Sequence, residues 1–358
     1  MKYRIQLLLF ALLTLNVSGQ TKKVDCPIKN FEVLWKAFDN HYAFFDLKTI
    51  SWEDIHKKYK TLINDSTSND SLFTICSQML KELEDGHVNL FTKSKHFNAG
   101  KPNNFYSEFS KKGSINDLIQ ITDSSLAKLG FSNVIKVYRN NSKDYRSLIE
   151  ISNSSNYGYI RINAMEGLSQ LKLERVLKVV EKHFSSSKGV IIDVRFNGGG
   201  KDTYSYQIAD RFADKKRIGH YKCTRKASDH NNFTKLKTWY LKPKGVKQIT
   251  VPIILLTSNA SASATDVFVL AMKQLPHVTI IGDNTFGVFS DMYESKLPNG
   301  WKFSLSHQKY FSADMKCYEG IGVAPDIRLL NSMNDVEQKK DPLINKAIDV
   351  LSKKVLHN

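Results

Sequence analysis

The sequence has 358 residues, of which 41% are hydrophobic, and this supports a substantial core in one large or two ordinary domains. Its formal net charge is +17, but the lysines are scattered, with no basic run of five or more and no aromatic-interleaved basic motif. This distribution favours a generally basic exported protein over a nucleic-acid-binding protein.

The N-terminus has the organisation of a targeting segment. Lys2 and Arg4 precede an apolar run from Leu7 to Leu15, and small residues follow before Gln20. This order is typical of a cleavable secretory signal peptide, and the run is too short to span a membrane. Residues 1–19 are therefore predicted to be removed, which gives a secreted or periplasmic protein. No later segment is apolar enough to cross a bilayer, so no integral membrane segment is predicted.

The cysteines do not indicate a metal site. They are Cys26, Cys76, Cys223 and Cys317. In an oxidising compartment four cysteines allow three pairings, and the spacing does not choose among them. No Cys-x-x-Cys pair and no Cys/His pair has the spacing of zinc ligands, so neither a metal nor a cofactor is predicted. Cys76 lies on an apolar helical face, which predicts a buried thiol.

Residues 20–95 are predicted to form an N-terminal helical region. Apolar residues recur at helical spacing in three segments, Phe31 to Tyr42, Ile55 to Leu62 and Leu72 to Leu83. Ser51 is positioned to cap the second helix, and Asn69 or Asp70 the third. The third helix is predicted to end where Gly86 can adopt a left-handed backbone conformation.

The rest of the chain divides into three predicted parts. Residues 96–154 are polar, and weak strand signals near Leu118–Ile121 and Val134–Tyr138 predict a small β-containing module. Strands and amphipathic helices then alternate, and this order is repeated, which predicts an α/β core domain over residues 155–335. An amphipathic helix is predicted within residues 336–358.

The stretch from Val251 to Gly287 has the pattern of a catalytic turn. It contains a buried strand, a polar elbow, a helix and a second strand, in that order. A hydroxyl in the elbow would lie at a helix N-terminus, where free N–H groups and the helix dipole favour negative charge. Ser261 and Ser263 therefore fit a nucleophile site. On spacing alone, helix capping is the commoner role of such serines.

Three glycines, Gly198–Gly200, follow a buried strand that ends at Arg195. They do not form a phosphate loop, because a Walker A pattern would need Gly at position 195 and Ser or Thr at position 202, which is Asp202. Without side chains, their backbone N–H groups can point into a cleft, as an oxyanion hole requires. A tight turn is the structural alternative.

Four motifs follow one another along the chain. They are Ile192-Asp193-Val194-Arg195-Phe196-Asn197-Gly198-Gly199-Gly200, Ser261-Ala262-Ser263-Ala264-Thr265-Asp266, Gly282-Asp283-Asn284-Thr285-Phe286-Gly287 and Gly320-Ile321-Gly322-Val323-Ala324-Pro325-Asp326-Ile327. Together they resemble the tail-specific (C-terminal processing) serine peptidase family, which also contains the tricorn core protease and interphotoreceptor retinoid-binding protein. The segment from Leu83 to Val88 resembles the family's N-terminal motif. The resemblance implies a crotonase-like ββα core of the α/β class behind a helical N-terminal region.

The resemblance also implies the catalytic residues. Ser263 occupies the position of the family's nucleophile. The tail-specific branch places a lysine base at a later position that is Val288 here, and an apolar side chain cannot accept a proton. The tricorn-like branch uses instead a histidine from the N-terminal part and a glutamate before the last motif, which His87 and Glu319 match. The serine that precedes this histidine in that branch is replaced by Gly86.

Backbone groups and nearby carboxylates complete the predicted site. Gly199 and Ala264 are the candidate oxyanion donors. The candidate substrate-binding residues are Gly198, Gly200 and Gly287. Asp85 is an alternative partner for the histidine, and Asp266 is expected to favour its helix N-terminus through the dipole.

The predicted function is an exported serine peptidase that hydrolyses peptide bonds through a Ser/His acyl-enzyme and a glycine-rich oxyanion hole. Its predicted partner is a protein or peptide substrate, with no nucleic acid, and the oligomeric state is left open. One alternative is a non-catalytic protein that binds peptides or apolar ligands, because the retinoid-binding relative illustrates that fold does not fix function. Another is a polyanion-binding surface protein that uses the basic charge.

Overall fold

The computed structural model describes residues 26–139, 147–227 and 229–356. The predicted signal peptide lies outside these residues. Within the described ranges, no helix combines the length and the apolar character that a bilayer crossing needs. The α/β class predicted from the sequence is confirmed, and the strands form three sheets.

Helices and strands alternate through most of the described chain. The helices are α1 (Pro27–His41), α2 (Trp52–Lys60), α3 (Asn69–Lys81), α4 (Asn104–Glu108), α5 (Ser114–Lys128), α6 (Gln170–His183), α7 (Asp202–Ala209), α8 (Ala264–Met272), α9 (Met333–Glu337) and α10 (Pro342–Leu356). The strands are β1 (Asn89–Phe91), β2 (His96–Asn98), β3 (Ile135–Arg139), β4 (Ser147–Asn153), β5 (Tyr157–Ile162), β6 (Gly189–Asp193), β7 (Arg217–Thr224), β8 (Lys237–Leu241), β9 (Ile253–Thr257), β10 (Val278–Gly282), β11 (Met292–Lys296), β12 (Lys302–Ser306), β13 (Gln308–Phe311) and β14 (Ile327–Arg328).

The central sheet has seven strands in the order β14-β10-β9-β6-β5-β4-β3. Strands β5, β6, β9, β10 and β14 are parallel, and β4 and β3 continue the sheet in antiparallel pairing. Because side chains alternate along a strand, Ile192 and Leu255 pack with α6, α7 and α8, whereas Ile191 and Leu256 pack with α10. Both faces of β6 and β9 are thus covered, which explains why both sequences are continuously apolar.

The helical region at the N-terminus packs on a four-stranded antiparallel sheet of order β11-β12-β1-β2. Ser51 caps α2 as predicted, since its hydroxyl accepts a hydrogen bond from the N–H of Asp54 at 3.2 Å. The prediction for α3 was wrong by one residue. Its cap is Ser68 rather than Asn69 or Asp70, because the hydroxyl of Ser68 accepts a bond from the first turn.

The turn that follows α3 also differs from the prediction. The left-handed residue is Glu84, with φ 44°, and not Gly86. Gly86 instead lies in close contact with the segment that precedes β11. A Cβ on Gly86 would be 3.0 Å from the ring of Phe286 and 3.1 Å from a methyl group of Val288. A glycine is therefore favoured here by the approach of neighbouring side chains rather than by backbone conformation.

Within the described part of residues 96–154, the strand signal at Leu118–Ile121 was wrong. Leu118–Ile121 lie in α5, because Leu118, Thr122 and Leu126 are buried at helical spacing. The strand predicted at Val134–Tyr138 is confirmed as β3, but with β4 it extends the central sheet. Where the domain boundaries fall stays a prediction.

The strand order determines where the site lies. Because β6 and β9 are parallel neighbours, their carboxyl ends meet at one edge of the sheet. The glycine loop follows β6 and the serine elbow follows β9, so two of the sequence motifs are adjacent in space.

Candidate active site

Ser263 lies at the sharp connection between β9 and α8. Its backbone has φ 58° and ψ −122°, a region whose occupation costs a non-glycine residue on the order of 1–3 kcal/mol. Its side chain is partly accessible, whereas Ser261 is buried and donates its hydroxyl to the carbonyl oxygen of Val194 at 2.8 Å. Ser261 therefore has a structural role, and Ser263 is the serine that the strained turn presents at a helix N-terminus.

The glycine loop lies directly against this serine. A Cβ on Gly199 would be 2.7 Å from the Cβ of Ser263 and 2.7 Å from the carbonyl oxygen of Ala262. Gly199 also has φ 112°, so that only glycine fits without strain. Asn197, which sequence reasoning missed, joins the loop to the elbow. Its carbonyl oxygen accepts the N–H of Ala262 at 3.2 Å, and its side-chain oxygen accepts the N–H of Gly199 at 2.9 Å.

The two candidate oxyanion donors differ in availability. Ala264 is the first residue of α8, so its N–H has no partner within the helix. The N–H of Gly199 is bonded to Asn197 and can serve an oxyanion only when that bond opens. Of the other predicted loop residues, Gly198 is exposed, and Gly200 packs against the backbone of the loop after β5. Their part in substrate binding stays a prediction.

Replacing Gly199 by alanine is expected to lower kcat/KM by about 10- to 100-fold, because the new methyl group would displace the serine elbow. Peptide hydrolysis and thermal unfolding would be measured together. Gly130→Ala is the matched control, since Gly130 has φ 80° and a Cβ there meets nothing within 4 Å. The Gly130→Ala variant has only the conformational cost of a left-handed backbone, so it should keep its activity. Equal activity of the two variants would contradict the close approach of loop and elbow.

Asp266 holds the elbow to the segment after β10. Its carboxylate accepts the backbone N–H groups of Ser263 at 2.7 Å, Gly287 at 2.9 Å and Val288 at 3.1 Å. Burial raises the pKa of Asp266 to about 6, although these hydrogen bonds act in the opposite direction. Asp266 is thus a cross-link between two motifs, a role beyond the expected interaction with the helix dipole. The N–H of Gly287, a predicted substrate-binding residue, is occupied by this bond.

His87 lies just before β1, and its ring is buried. The hydroxyl of Ser304 donates to the His87 carbonyl oxygen at 2.7 Å, which fixes the backbone against β12. Burial lowers the pKa of His87, while the charges of Asp85 and Asp291 raise it. Within the described residues, the Nδ1 atom of the ring has no hydrogen-bond partner. The imidazole is therefore held neutral, as a general base should be.

The three predicted catalytic residues lie around the segment that contains Val288, but hydrogen bonds do not connect their side chains in the described ranges. Within the described ranges, no hydrogen bond connects His87 to Ser263 or to Glu319. The residue before His87 packs against Val288, whose N–H is bonded to Asp266, which in turn bonds the N–H of Ser263. The motifs are thus adjacent, and the catalytic hydrogen bonds themselves stay a prediction.

Two carboxyl groups compete as the partner of His87. Glu319 accepts the N–H of Phe289 at 2.8 Å, and burial followed by the charge of Asp85 raises its pKa well above the usual value. A carboxyl group that keeps its proton stabilises an imidazolium poorly. Asp85 accepts the backbone N–H of His87 at 2.8 Å, and its charge is the first that acts on the ring. The electrostatics favour Asp85, the alternative named from the sequence.

The cysteines take no part in this arrangement. All four are free thiols in the described chain, and burial raises the pKa of Cys76 to about 12, as expected of a buried structural thiol. In the same residues, no group of three or more His, Cys, Asp and Glu side chains could hold a metal ion.

Comparison with known proteins gives the family. The model of peptidase family S41 matches residues 156–329, and the model of the tricorn protease C1 domain matches residues 28–81. A solved structure of a candidate peptidase from Parabacteroides merdae is 31% identical, with a TM-score of 0.75, and the match covers 91% of this chain and 96% of that one. The chain belongs to peptidase family S41. The family predicted from the four motifs is confirmed, and with it the class of serine peptidases.

Three further proteins show how far the similarity of this S41 peptidase extends. A protein of Staphylococcus epidermidis described as "Probable CtpA-like serine protease" is 22% identical over 87% of this chain and 67% of its own length. The tricorn protease of Thermoplasma acidophilum is 30% identical over 58% of this chain, which corresponds to 18% of that protein. Mature CPAF shares the fold, with a TM-score of 0.67 at 12% identity over 94% of this chain and 98% of that one.

Proposed function

We propose that this S41 peptidase is exported and cleaves polypeptide substrates through an acyl-enzyme on Ser263, with His87 as general base. The observation that carries the proposal is the strained backbone of Ser263 at the N-terminus of α8, directly against the glycine loop. A strained turn of this kind keeps the hydroxyl accessible and aims the free N–H groups of the helix at the same point.

The chemistry follows from these groups. His87 accepts the proton of the Ser263 hydroxyl as its oxygen attacks the carbonyl carbon of the substrate. The negative oxygen of the tetrahedral intermediate accepts a hydrogen bond from Ala264, and from Gly199 once its N–H leaves Asn197. The C–N bond then breaks, and the imidazolium gives its proton to the leaving amine. A water molecule, deprotonated by the same imidazole, hydrolyses the ester and restores the serine.

A closing step belongs to this proposal. Catalytic hydrogen bonds are often long in a free enzyme and shorten when substrate binds. His87 is attached to β12 and to the segment around Val288, so a small shift of that segment would carry the imidazole towards Ser263. A lysine-based mechanism has no support, because Val288 stands at the position of the lysine and is buried.

The proposal also includes the export of the enzyme and the class of its substrates. The signal-peptide pattern of residues 1–19 supports a secreted or periplasmic enzyme, and the N-terminal residue of the mature chain tests it. Several relatives carry the name carboxy-terminal processing protease. These names support polypeptide substrates that are cut near their carboxyl ends.

The direct test is labelling with a fluorophosphonate probe, which reacts only with an activated serine. Wild type and Ser261→Ala are expected to label, since the hydroxyl of Ser261 is occupied by Val194, and Ser263→Ala is expected to lose all labelling. Labelling that persists in Ser263→Ala would reject this nucleophile. A well-folded wild type that does not react would favour the ligand-binding alternative on the same fold.

A further inference from the structure

Three buried polar atoms behind the catalytic histidine lack hydrogen-bond partners within the described residues. They are the hydroxyl of Tyr42, Oδ2 of Asp85 and Nδ1 of His87. Their residues are 0%, 5% and 7% exposed, in that order. A buried polar group without a partner costs about 1–3 kcal/mol, so three of them close together indicate a place where a further polar molecule is held.

A small cavity lies at this point. It has a volume of about 220 Å³ and is lined by Tyr42, Asp85, Gly86, Val288 and Glu319, among others. Because residue 86 has no side chain, no protein atom extends from it towards the histidine. A Cβ there would already be 3.0 Å from Phe286, so a larger side chain is disfavoured. The cavity is polar and large enough for water.

Asp85 is fixed in relation to the histidine. One carboxylate oxygen accepts the backbone N–H of His87 at 2.8 Å, which leaves the second oxygen free beside the ring. The Tyr42 hydroxyl is near enough to this carboxylate that the charge of Asp85 raises the pKa of Tyr42, after the larger effect of burial. The Tyr42 hydroxyl can donate its proton to an acceptor on this side, and the Asp85 carboxylate supplies one.

We propose that Asp85 is the positioning residue of His87, and that it acts through a water molecule held between Nδ1 of His87 and Oδ2 of Asp85, beside the cavity that Asp85 and Tyr42 line. The proposal rests on the function proposed above and concerns the same site. Nδ1–H of His87 donates to the water, the water donates to Oδ2 of Asp85, and the hydroxyl of Tyr42 donates to the same network. This holds the proton on Nδ1, so that Nε2 can accept the serine proton once the ring leaves the backbone of Ser290, to which it is bonded in this structure. The negative charge stabilises the imidazolium that results.

The other charged groups around the cavity do not orient His87 or stabilise its imidazolium in this way. Glu319 faces Asp85, is bonded to the N–H of Phe289 and has a raised pKa. Lys48 acts on Glu319. Asp291 acts on His87, but its carboxylate is paired with Lys222 at 3.0 Å. Asp85 is therefore the carboxylate that is bonded to the backbone of His87 and that keeps one oxygen without a partner within the described residues.

The test is an NMR titration of the His87 imidazole in a Ser263→Ala background, which needs no turnover. Asp85→Asn keeps an oxygen for the His87 N–H but removes the charge, and it is expected to lower the pKa of His87 by about one unit. Glu319→Gln is the matched control and should move it less. Tyr42→Phe should leave the imidazole titrating close to its original pKa.

A second readout uses the chain with its serine intact. Asp85→Asn is expected to lower kcat by about 10- to 100-fold with little change in KM, and to move the acidic limb of the kcat profile to lower pH. A merely structural aspartate would not move that limb. An unchanged His87 pKa in Asp85→Asn, or a larger shift in Glu319→Gln, would overturn the proposal. If the wild type does not react with fluorophosphonate, the nucleophile assignment fails, while the titration still decides the role of Asp85.

Discussion

Replacing His87 by alanine is expected to lower kcat by about 10⁴-fold, because the proposed mechanism gives the serine proton no other acceptor. The lysine position is Val288, and the nearest carboxylate, Asp266, is occupied by three backbone N–H groups. Hydrolysis of a quenched-fluorescence peptide, with active enzyme counted by titration, would measure the effect. The fold should survive, since it is the backbone of His87 that is bonded to β12.

His96→Ala is the control for this variant. His96 is exposed, lies on the neighbouring strand β2 and stacks on Phe91 at 4.3 Å between ring centroids. Its replacement should leave kcat unchanged. If His87→Ala retained more than about a tenth of the wild-type rate, a loss smaller than a general base normally produces, the assignment of the base would be wrong.

The pH profile of the wild type gives an independent check. A general base works only when it is unprotonated, and burial lowers the pKa of His87 below its ordinary value of about 6.5. As pH falls, the imidazole therefore stays neutral for longer, and kcat/KM should decline only below the pH at which an ordinary histidine titrates. A decline that begins above pH 7 would point to a different titrating group.

Replacing Arg195 by methionine is expected to lower the free energy of unfolding by about 3–5 kcal/mol. The guanidinium is fully buried and pairs with Asp193 at 2.7 Å and with Asp341 at 3.0 Å, and both carboxylates are fully buried as well. Removing the cation leaves two buried negative charges near each other, and neither can reach water. Urea unfolding followed by circular dichroism would give the difference in stability.

Arg217→Met is the matched control, because Arg217 pairs with Asp214 at 2.7 Å but both side chains are partly exposed. A pair of this kind is worth about 1 kcal/mol or less. If the two variants unfolded at the same urea concentration with the same slope, burial of the Arg195 cluster would have no energetic consequence. Since Asp341 directly precedes α10 and Arg195 precedes the glycine loop, loss of the cluster is also expected to loosen that loop.

Local patterns predicted those parts of the molecule that local physics determines. The continuous apolar runs that became β6 and β9, and the polar elbow between β9 and α8, were evident because each requires only neighbouring residues. The strand expected at Leu118–Ile121 was wrong, because polar residues interrupt the helical pattern in the sequence. The buried face of α5 is recognised only from its packing against α9 and α10.

The site was predictable in its residue types but not in its contacts. Ser263 and the glycine loop could be named because each stands in a short motif that resembles a motif of the family. Asn197 and Asp266 act across distances in sequence that no short pattern contains, and their bonds to Ala262 and Val288 emerge only in the fold. The choice between two carboxylates beside His87 depends on burial and on their mutual repulsion, which the sequence does not express.

The four-stranded sheet has a consequence for how this enzyme can be divided. Two of its strands, β1 and β2, come from the chain before residue 100, and the other two, β11 and β12, come from within the segment that matches the S41 model. Leu90 pairs with Phe303 across the junction, and both are buried. A truncated protein that begins at residue 155 would therefore lose its base and uncover an apolar strand at the same time. Activity in such a fragment could return only by complementation, with a separately supplied N-terminal piece adding its strands to the open edge of β12.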